Sequence, residues 1–206
     1  MKVLYWNVYV GHHVDDVLRE LRGMIKDYRP EVIGLGECMH VSPHLNQING
    51  YHAYTLKETT PGSSDTAVLV RDDVDLKRWY WMKLHVWWKG PKHGKVQGPK
   101  RYWAGRIRHK GKIFRLSIGH WPFNVAVDET KDAIAKWFKK AVPFRKSAHI
   151  GDLNSSPDEL DRYVKRFRGK HVGHRVDRCL YKNMKVTYKD LGQHGSDHSA
   201  VLFTLS

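Results

Sequence analysis

Short apolar runs, each the length of a β-strand, recur along the 206-residue chain, and each carries or adjoins a polar residue. Val3–Val8 contains Asn7, Glu31–Glu37 ends in a carboxylate, and Val201–Phe203 follows a polar loop. Uninterrupted apolar runs of this length are typical of strands buried on both faces. These runs therefore predict buried strands at both ends of the chain, with side chains capable of chemistry at the strand ends.

Helical spacing separates the first two runs. Apolar residues recur at i, i+3 and i+4 from Val14 to Ile25, and Pro30 ends the pattern. A strand, a helix and a second strand in this order predict layered α and β structure. Further strands are predicted at 51–56, 66–71, 74–88, 102–109, 113–119, 147–150, 175–181 and 185–188.

Two later helices are predicted. One follows Asp128 and presents an apolar face around Trp137. The other begins at Ser156, because Ser156 and Glu159 have the spacing of a capping box with Pro157 at the first helical position. The segment 163–175 is basic and is expected at the surface. We expect one domain over residues 1–206.

The positive charge of the chain indicates which kinds of binding partner it favours. The formal net charge is +15, which favours polyanions: nucleic acid first and an anionic membrane surface second. No Asp or Glu occurs from Lys77 to Val127, where tryptophans alternate with basic residues. One interpretation is a solvated hairpin whose tryptophans face the core. The favoured interpretation is a phosphate-contacting surface with aromatic rings that stack on bases, because the bias runs so long without a compensating acid.

Other classes are disfavoured. Two cysteines, Cys38 and Cys179, form neither a disulfide framework nor a zinc pattern, which favours a reducing compartment. No apolar run approaches the roughly 20 residues that span a bilayer, and Asn7 interrupts the N-terminal run too early for a signal peptide. We expect a soluble, intracellular monomer without membrane insertion.

Polar side chains at strand ends form the candidate site. Carboxylate and amide oxygens suit Mg²⁺ or Mn²⁺ rather than zinc, and histidines supply proton transfer. These residues are Asn7, Glu37, His120, Asp152 with Asn154, Asp177, and Asp197 with His198. Taken singly, several of these have an alternative: a turn for Asn7, a surface carboxylate for Glu37, a salt bridge to Arg175 or Arg178 for Asp177, and a surface loop for the Asp-His pair.

Taken together, the motifs resemble the endonuclease/exonuclease/phosphatase superfamily, which includes deoxyribonuclease I and exonuclease III-type enzymes. Their order and approximate spacing match over nearly the whole chain. The motifs are Trp6-Asn7-Val8, Ile33-Gly34-Leu35-Gly36-Glu37, Gly119-His120-Trp121-Pro122, Gly151-Asp152-Leu153-Asn154, Val176-Asp177-Arg178 and Ser196-Asp197-His198. The resemblance implies a four-layered α/β sandwich, with two mainly antiparallel β-sheets flanked by helices.

The resemblance also implies roles. Glu37 is the expected principal metal ligand, assisted by Asn7. Asp152 would orient or activate water, Asn154 would contact the phosphate, and His198, oriented by Asp197, would contact the scissile phosphate. His120 would protonate the leaving group or bind phosphate, and Asp177 would complete the network. Substrate contacts are expected from Arg101, Lys100, Arg106 and Trp121.

The leading hypothesis is a Mg²⁺- or Mn²⁺-dependent phosphodiesterase that acts on nucleic acid, DNA more than RNA. Tyr9, Cys38 and His120 depart from the abasic-site endonuclease pattern and favour the deoxyribonuclease-like or general branch. Two alternatives stay open: a phosphatase or phosphodiesterase for a small or lipid phosphate, and a nucleic-acid-binding module with a vestigial site.

Overall fold

Two six-stranded sheets organise the chain in a computed structural model that describes residues 1–8, 13–56, 66–83, 88–89, 96–97, 101–121, 132, 134–138 and 146–206. The first sheet contains β1 (Lys2–Asn7), β2 (Val32–Gly36), β3 (Tyr51–Tyr54), β4 (Thr66–Arg71), β13 (Val186–Asp190) and β14 (Val201–Leu205). The second contains β5 (Asp75–Lys83), β8 (Arg101–His109), β9 (Lys112–Ile118), β10 (Lys146–Asp152), β11 (Lys170–His174) and β12 (Asp177–Lys182). The two-residue strands β6 (Trp88–Lys89) and β7 (Val96–Gln97) pair separately.

The two sheets have the same arrangement of parallel and antiparallel strands. Their strand orders are β13-β14-β1-β2-β4-β3 and β11-β12-β10-β9-β8-β5. Each contains one parallel pair, β1 with β2 and β9 with β10, and its other pairs are antiparallel. The predicted mainly antiparallel sheets are therefore confirmed. Because parallel strands end at the same edge, each pair delivers two carboxyl-terminal ends together.

Four layers follow from the side-chain alternation of the buried strands. In β1, Val3 and Tyr5 point into the core between the sheets, whereas Leu4 and Trp6 point outward. Helix α1 (Val14–Tyr28) covers this outer face through Val17, Leu18, Leu21 and Met24. Burial on both faces explains why the sequence of this strand is apolar without interruption.

Helices also cover the outer face of the second sheet. Residues 132 and 134–138 form the described part of α2, and α3 spans Pro157–Val164. The predicted capping box is confirmed: Ser156 Oγ accepts from Glu159 N, and the Glu159 carboxylate accepts from Ser156 N at 3.0 Å. Both helices pack on an outer cluster that includes Tyr102 and Trp121.

One expectation from the sequence is corrected. The segment 163–175 is not simply a surface segment: Tyr163 and Phe167 are buried, and β11 follows them. Of the long strand expected at 74–88, β5 covers Asp75–Lys83 with a bulge between Leu76 and Arg78, and residues 84–87 lie outside the described part of the chain. Tyr9, Lys100 and Asp128 lie outside the described residues.

Aromatic residues of the basic stretch divide between core and surface. Trp103 is fully buried between the sheets, whereas Trp79 and Tyr80 are 44% and 45% exposed. The tryptophans of the stretch therefore do not all face the core, and the interpretation as a phosphate-contacting surface stays a prediction. In the described part of the chain, no helix combines the length and apolarity needed to cross a bilayer.

Candidate active site

The candidate site lies where strand ends of both sheets meet. In the first sheet, Asn7 at the end of β1 pairs with Gly36 at the end of β2, so Glu37 follows directly beside it. In the second sheet, the parallel ladder continues past β9: Trp121 N donates to Asp152 O at 2.8 Å, which sets His120 beside the end of β10. Asp177 begins β12 opposite Asp152.

Asp152 is the centre of the cluster. Its Oδ2 atom accepts from Asn7 Nδ2 at 3.3 Å and lies 3.7 Å from His120 Nε2 and 3.8 Å from His198 Nε2. Glu37 Oε1 lies 3.3 Å from Asn7 Nδ2 and 3.9 Å from His120 Nε2. Residues from the first strand to the last loop therefore converge on one site, as the sequence pattern predicted.

Asn154 fixes the approach of His120. Its Nδ2 atom donates to Trp121 O at 2.8 Å and lies 3.1 Å from His120 Nε2, while its backbone N–H donates to Asp152 Oδ1. The backbone of Asn154 has φ = 42°. Asn tolerates this left-handed conformation better than most residues, which explains an Asn at the point where the chain turns from β10 toward α3.

His198 is paired with a different carboxylate from the one expected. Its Nδ1 atom lies 2.8 Å from Asp177 Oδ2, and the hydrogen bond to Asp177 raises the pKa of His198 to about 9. Burial raises the pKa of Asp177, and the hydrogen bond with His198 opposes that shift. The orientation of His198 by Asp197 is therefore corrected: Asp197 is exposed, and its Oδ1 atom lies 3.4 Å from the hydroxyl of its neighbour Ser196.

Ser196 is a site residue to which sequence reasoning gave no role. It is buried, and its hydroxyl donates to Asn7 O at 2.7 Å while accepting from His198 N at 3.1 Å. It thus ties the C-terminal loop to the end of β1 and sets the position of His198. The signal was present, because Ser196 directly precedes the Asp-His pair.

Backbone strain marks Glu37. Its φ is 50°, in a region that side chains other than Gly, Asn and Asp rarely adopt. Such conformations cost on the order of 1–3 kcal/mol and concentrate at functional sites. The turn after β2 therefore lowers the stability of the fold. The placement of the Glu37 carboxylate in the candidate site accounts for this strained backbone.

Close backbone contact supports the other side of the site. A Cβ atom on Gly151 would collide with the carbonyl oxygen of Gly119, and one on Gly119 would collide with the Tyr102 ring. Glycine at 151 therefore lets β10 approach the chain that follows β9, where His120 and Asp152 are delivered, and glycine at 119 leaves room for the Tyr102 ring of β8.

Trp121 is corrected from a substrate contact to a buried support. It is 0% exposed, and its Nε1 donates to His149 Nε2 at 2.7 Å. His149 Nδ1 in turn lies 3.2 Å from Ser117 Oγ, and burial lowers the pKa of His149 to about 3. Since the indole N–H requires an acceptor at Nε2, the neutral ring carries its proton on Nδ1. Nothing in the sequence around His149 indicated this triad.

The expected basic contacts differ in position. Continuing the pairing of Trp103 with Ile118 by two residues sets Arg101 opposite His120, at the site end of β8. Arg106 pairs with Arg115 near the middle of β9 and is thus displaced along the strand from the site. Lys100 lies outside the described residues.

The donor set fits a hard divalent cation. Glu37, Asp152 and Asp177 concentrate three carboxylates at one end of a chain with a net charge of +15. Asp177 Oδ1 is buried and has no hydrogen-bond partner among the described residues. Asp152, Asp177 and His198 also offer ligand atoms within 4.8 Å of one another. A bound cation would offset this negative charge before an anionic phosphate enters.

The two-sheet fold and the cluster of carboxylates and histidines at the strand ends are those of a hydrolase for phosphate esters. Comparison with known families identifies the family. The model of the Endonuclease/Exonuclease/phosphatase family matches residues 4–198, and the chain belongs to that family. No match is found among curated protein sequences.

Similar solved structures share the fold. Zebrafish TDP2 complexed with a single-stranded DNA product aligns with a TM-score of 0.74 and 15% identity, covering 100% of this chain and 98% of that one. The mannosyl-6-phosphatase of Bacteroides thetaiotaomicron aligns at 0.76 and 14%, covering 100% and 99%. The human Nocturnin catalytic domain with bound sulfate aligns at 0.72 and 14%, covering 100% and 94%. The expected four-layered fold is thus confirmed.

Proposed function

We propose that the chain is a metal-dependent phosphodiesterase that hydrolyses nucleic acid, DNA in preference to RNA, by in-line attack of an activated water. The observation that carries the proposal is the convergence on Asp152 Oδ2 of Asn7 at 3.3 Å and of two imidazoles at 3.7 and 3.8 Å. A carboxylate, two imidazole rings and an amide around one point suit a phosphoryl-transfer site.

The proton transfers follow from the contacts. Asp152 accepts the proton of the attacking water as the new P–O bond forms. His198 is protonated at neutral pH, because its pKa is about 9, so it donates a hydrogen bond to a phosphoryl oxygen rather than acting as the base. His120, when protonated, gives its proton to the leaving oxygen as the ester P–O bond breaks. The products are an alcohol and a phosphomonoester.

The remaining residues bind and orient. Asp177 keeps His198 protonated and aligned through the 2.8 Å contact. Asn154 orients His120 through Nδ2 and, as the family resemblance implies, contacts the phosphate. Arg101, opposite His120, is proposed to bind the flanking phosphate.

Glu37 and Asn7 would hold Mg²⁺ or Mn²⁺, with the buried carboxylates of Asp152 and Asp177 beside them. When bound, such an ion neutralises phosphate charge and lowers the pKa of water. Glu37 suits the ligand role because its side chain is 28% exposed, so it reaches the site from the solvent side.

Two observations support nucleic acid as substrate. The net charge of +15 matches a polyanion better than a small headgroup. TDP2, whose fold this chain shares, has been solved with a single-stranded DNA product. The candidate site residues all come from one chain, and Cys38 and Cys179 are buried and form no disulfide, which supports a monomeric, intracellular enzyme with one catalytic domain over residues 1–206.

The test uses supercoiled plasmid, labelled single-stranded DNA and labelled RNA, each with Mg²⁺ or Mn²⁺ and with EDTA. Cleavage is expected only with metal, and His198→Ala should lose it. The matched control is His44→Ala, because His44 is an exposed histidine that belongs to none of the site motifs. Absence of metal-dependent cleavage of all three substrates would overturn the proposal.

A phosphomonoesterase is the second candidate, because the mannosyl-6-phosphatase aligns over the full chain with a TM-score of 0.76. Inorganic phosphate release from mannose 6-phosphate, measured beside plasmid cleavage, separates the two. Phosphate release without cleavage of any polymer would favour this candidate.

A further inference from the structure

We propose a second phosphate-binding site on the outer face of the second sheet, formed by Arg78, Arg106 and Arg115. This guanidinium row is separate from the candidate active site and would take the phosphate groups of a nucleic-acid strand or of a free phosphate compound. The proposal does not depend on catalysis.

The row is set by strand register. Arg78 of β5 pairs with Arg106 of β8, and Arg106 pairs with Arg115 of β9. Directly paired residues of antiparallel strands share one face, with Cβ atoms about 4.5–5.5 Å apart. Three like charges therefore lie side by side across three strands. Such pairs are destabilising unless an anion lies between them.

A cavity of about 280 Å³ connects the three arginines. Two small residues, Ala104 and Gly105, also line the cavity. Ala104 lies two residues before Arg106 on β8, paired with Tyr80 of β5 and Ser117 of β9. Among the described residues that line the cavity there is no carboxylate. The cavity therefore lies among positive charges that no lining carboxylate offsets. Neither Arg78 nor Arg106 has an ion-pair partner in the described part of the chain.

Aromatic residues complete the site. Trp137 of α2 lines the cavity, lies under the Arg115 guanidinium at 4.6 Å, and is 6% exposed. Its indole N–H has no hydrogen-bond partner among the described residues. Tyr80, 45% exposed on the same face as Arg78, offers a ring on which a base can stack. Planar guanidinium groups bind phosphate through paired hydrogen bonds, which suits a converging set of three.

The row lies away from the reacting atoms. Arg115 lies in β9 and precedes His120 by five residues, which corresponds to roughly 16 Å of extended chain. A strand held at the active site and at the guanidinium row would therefore span several nucleotides.

The test measures binding in EDTA, so turnover does not enter. A fluorescein-labelled 20-nucleotide oligo(dT) is titrated with the wild type and with the variant Arg78→Gln/Arg106→Gln/Arg115→Gln. The matched control, Arg22→Gln/Lys26→Gln/Lys185→Gln, removes the same charge from exposed positions on the side of the first sheet. We expect the row variant to weaken binding at least tenfold and to lower the salt slope by about 2. The control should change binding less than threefold.

A second arm uses inorganic phosphate and measures the melting temperature. Phosphate is expected to raise the melting temperature of the wild type and of the control more than that of the row variant. Removing like charges relieves repulsion, so the row variant should melt no lower than the wild type. A melting temperature that is not lowered shows that the row variant has folded. Loss of the phosphate effect with unchanged oligo(dT) binding assigns the site to a free phosphate compound, and loss of both assigns it to a strand. If the row variant and the control behave alike in both arms, the proposal is overturned, whether or not the chain proves to be a nuclease.

Discussion

Two polar clusters lie side by side at the end of the second sheet, and they are built differently. In the buried triad of Ser117, His149 and Trp121, the indole N–H and both imidazole nitrogens have partners, and the ring is neutral. In the candidate active site, carboxylates crowd together, Glu37 holds a left-handed backbone, and Asp177 Oδ1 has no partner among the described residues. The first arrangement stabilises the fold, whereas the second leaves its interactions incomplete and available to ligands.

The two histidines show how the surroundings decide the charge. His149 is fully buried without a carboxylate, and its pKa falls to about 3. His198 has Asp177 at 2.8 Å, and its pKa rises to about 9. Burial opposes the charged form of both rings, so the carboxylate hydrogen bond makes the difference. Substitutions in the active site should therefore change turnover, and substitutions in the triad should change stability.

The largest expected effect is that of Asp152→Asn. The substitution keeps the shape of the side chain but removes the charge that accepts a proton from water, so cleavage of labelled DNA should fall by about 10³-fold. The melting temperature should stay level or rise, because one buried like charge is lost. A variant that retains turnover within threefold would show that Asp152 is a structural carboxylate.

Next in size is the pair Asp177→Asn and Asp197→Asn, which tests the corrected orientation of His198. Asp177→Asn should lower turnover by about 10²-fold and bring the pKa of His198 down toward 6.5. Asp197→Asn, the matched control one residue from His198, should change turnover less than about threefold. NMR titration of the assigned imidazole gives the pKa; the reverse ranking would restore Asp197 as the partner.

The triad predicts a pH-dependent stability. His149 has a lower pKa folded than unfolded, so the unfolded chain binds the extra proton as pH falls below about 6.5. The free energy of unfolding should then fall by about 1.4 kcal/mol per pH unit, or about 2 kcal/mol by pH 5, and the loss should continue until about pH 3. His149→Gln keeps an acceptor for Trp121 and should remove this component. Urea unfolding at pH 7.5 and pH 5 measures the difference; identical slopes for both proteins would refute it.

The smallest effect concerns strain in the active site. Glu37→Gly relieves the backbone at φ = 50° and should raise the free energy of unfolding by about 1 kcal/mol, while metal-dependent cleavage is lost. Glu37→Gln is the control, because it removes the charge and keeps the strain. A Gly variant no more stable than the Gln variant would indicate that the turn stores no strain.

Much of the fold was predictable, because continuous apolar runs marked β1, β2, β4 and β14 and a capping box marked α3. The edge strand β11 was missed, since Lys170–His174 lies at a sheet edge and contains only one apolar side chain, Val172. Short edge strands of this kind lack the periodicity on which prediction depends.

The sequence predicted which residues form the candidate site, but it did not predict all the contacts between them. Strand-end positions brought the right residues together, but the partner of His198 comes from β12 rather than from the adjacent Asp197. Asp197 and His198 lie in a bend between β13 and β14, where adjacency in sequence does not decide which carboxylate the imidazole meets. The burial of Trp121 likewise depends on packing by Tyr163 and His149, which lie far away in sequence.

The central claim is that side chains from both sheets surround one divalent cation. Titration with Mn²⁺, observed through paramagnetic broadening of the assigned His120 and His198 imidazole signals, tests it most directly. We expect both signals to broaden at the same Mn²⁺ concentration while the buried His149 signal is less affected, and Glu37→Gln should raise that concentration at least tenfold. Broadening of the two rings at different concentrations, or none that depends on Glu37, would contradict the account.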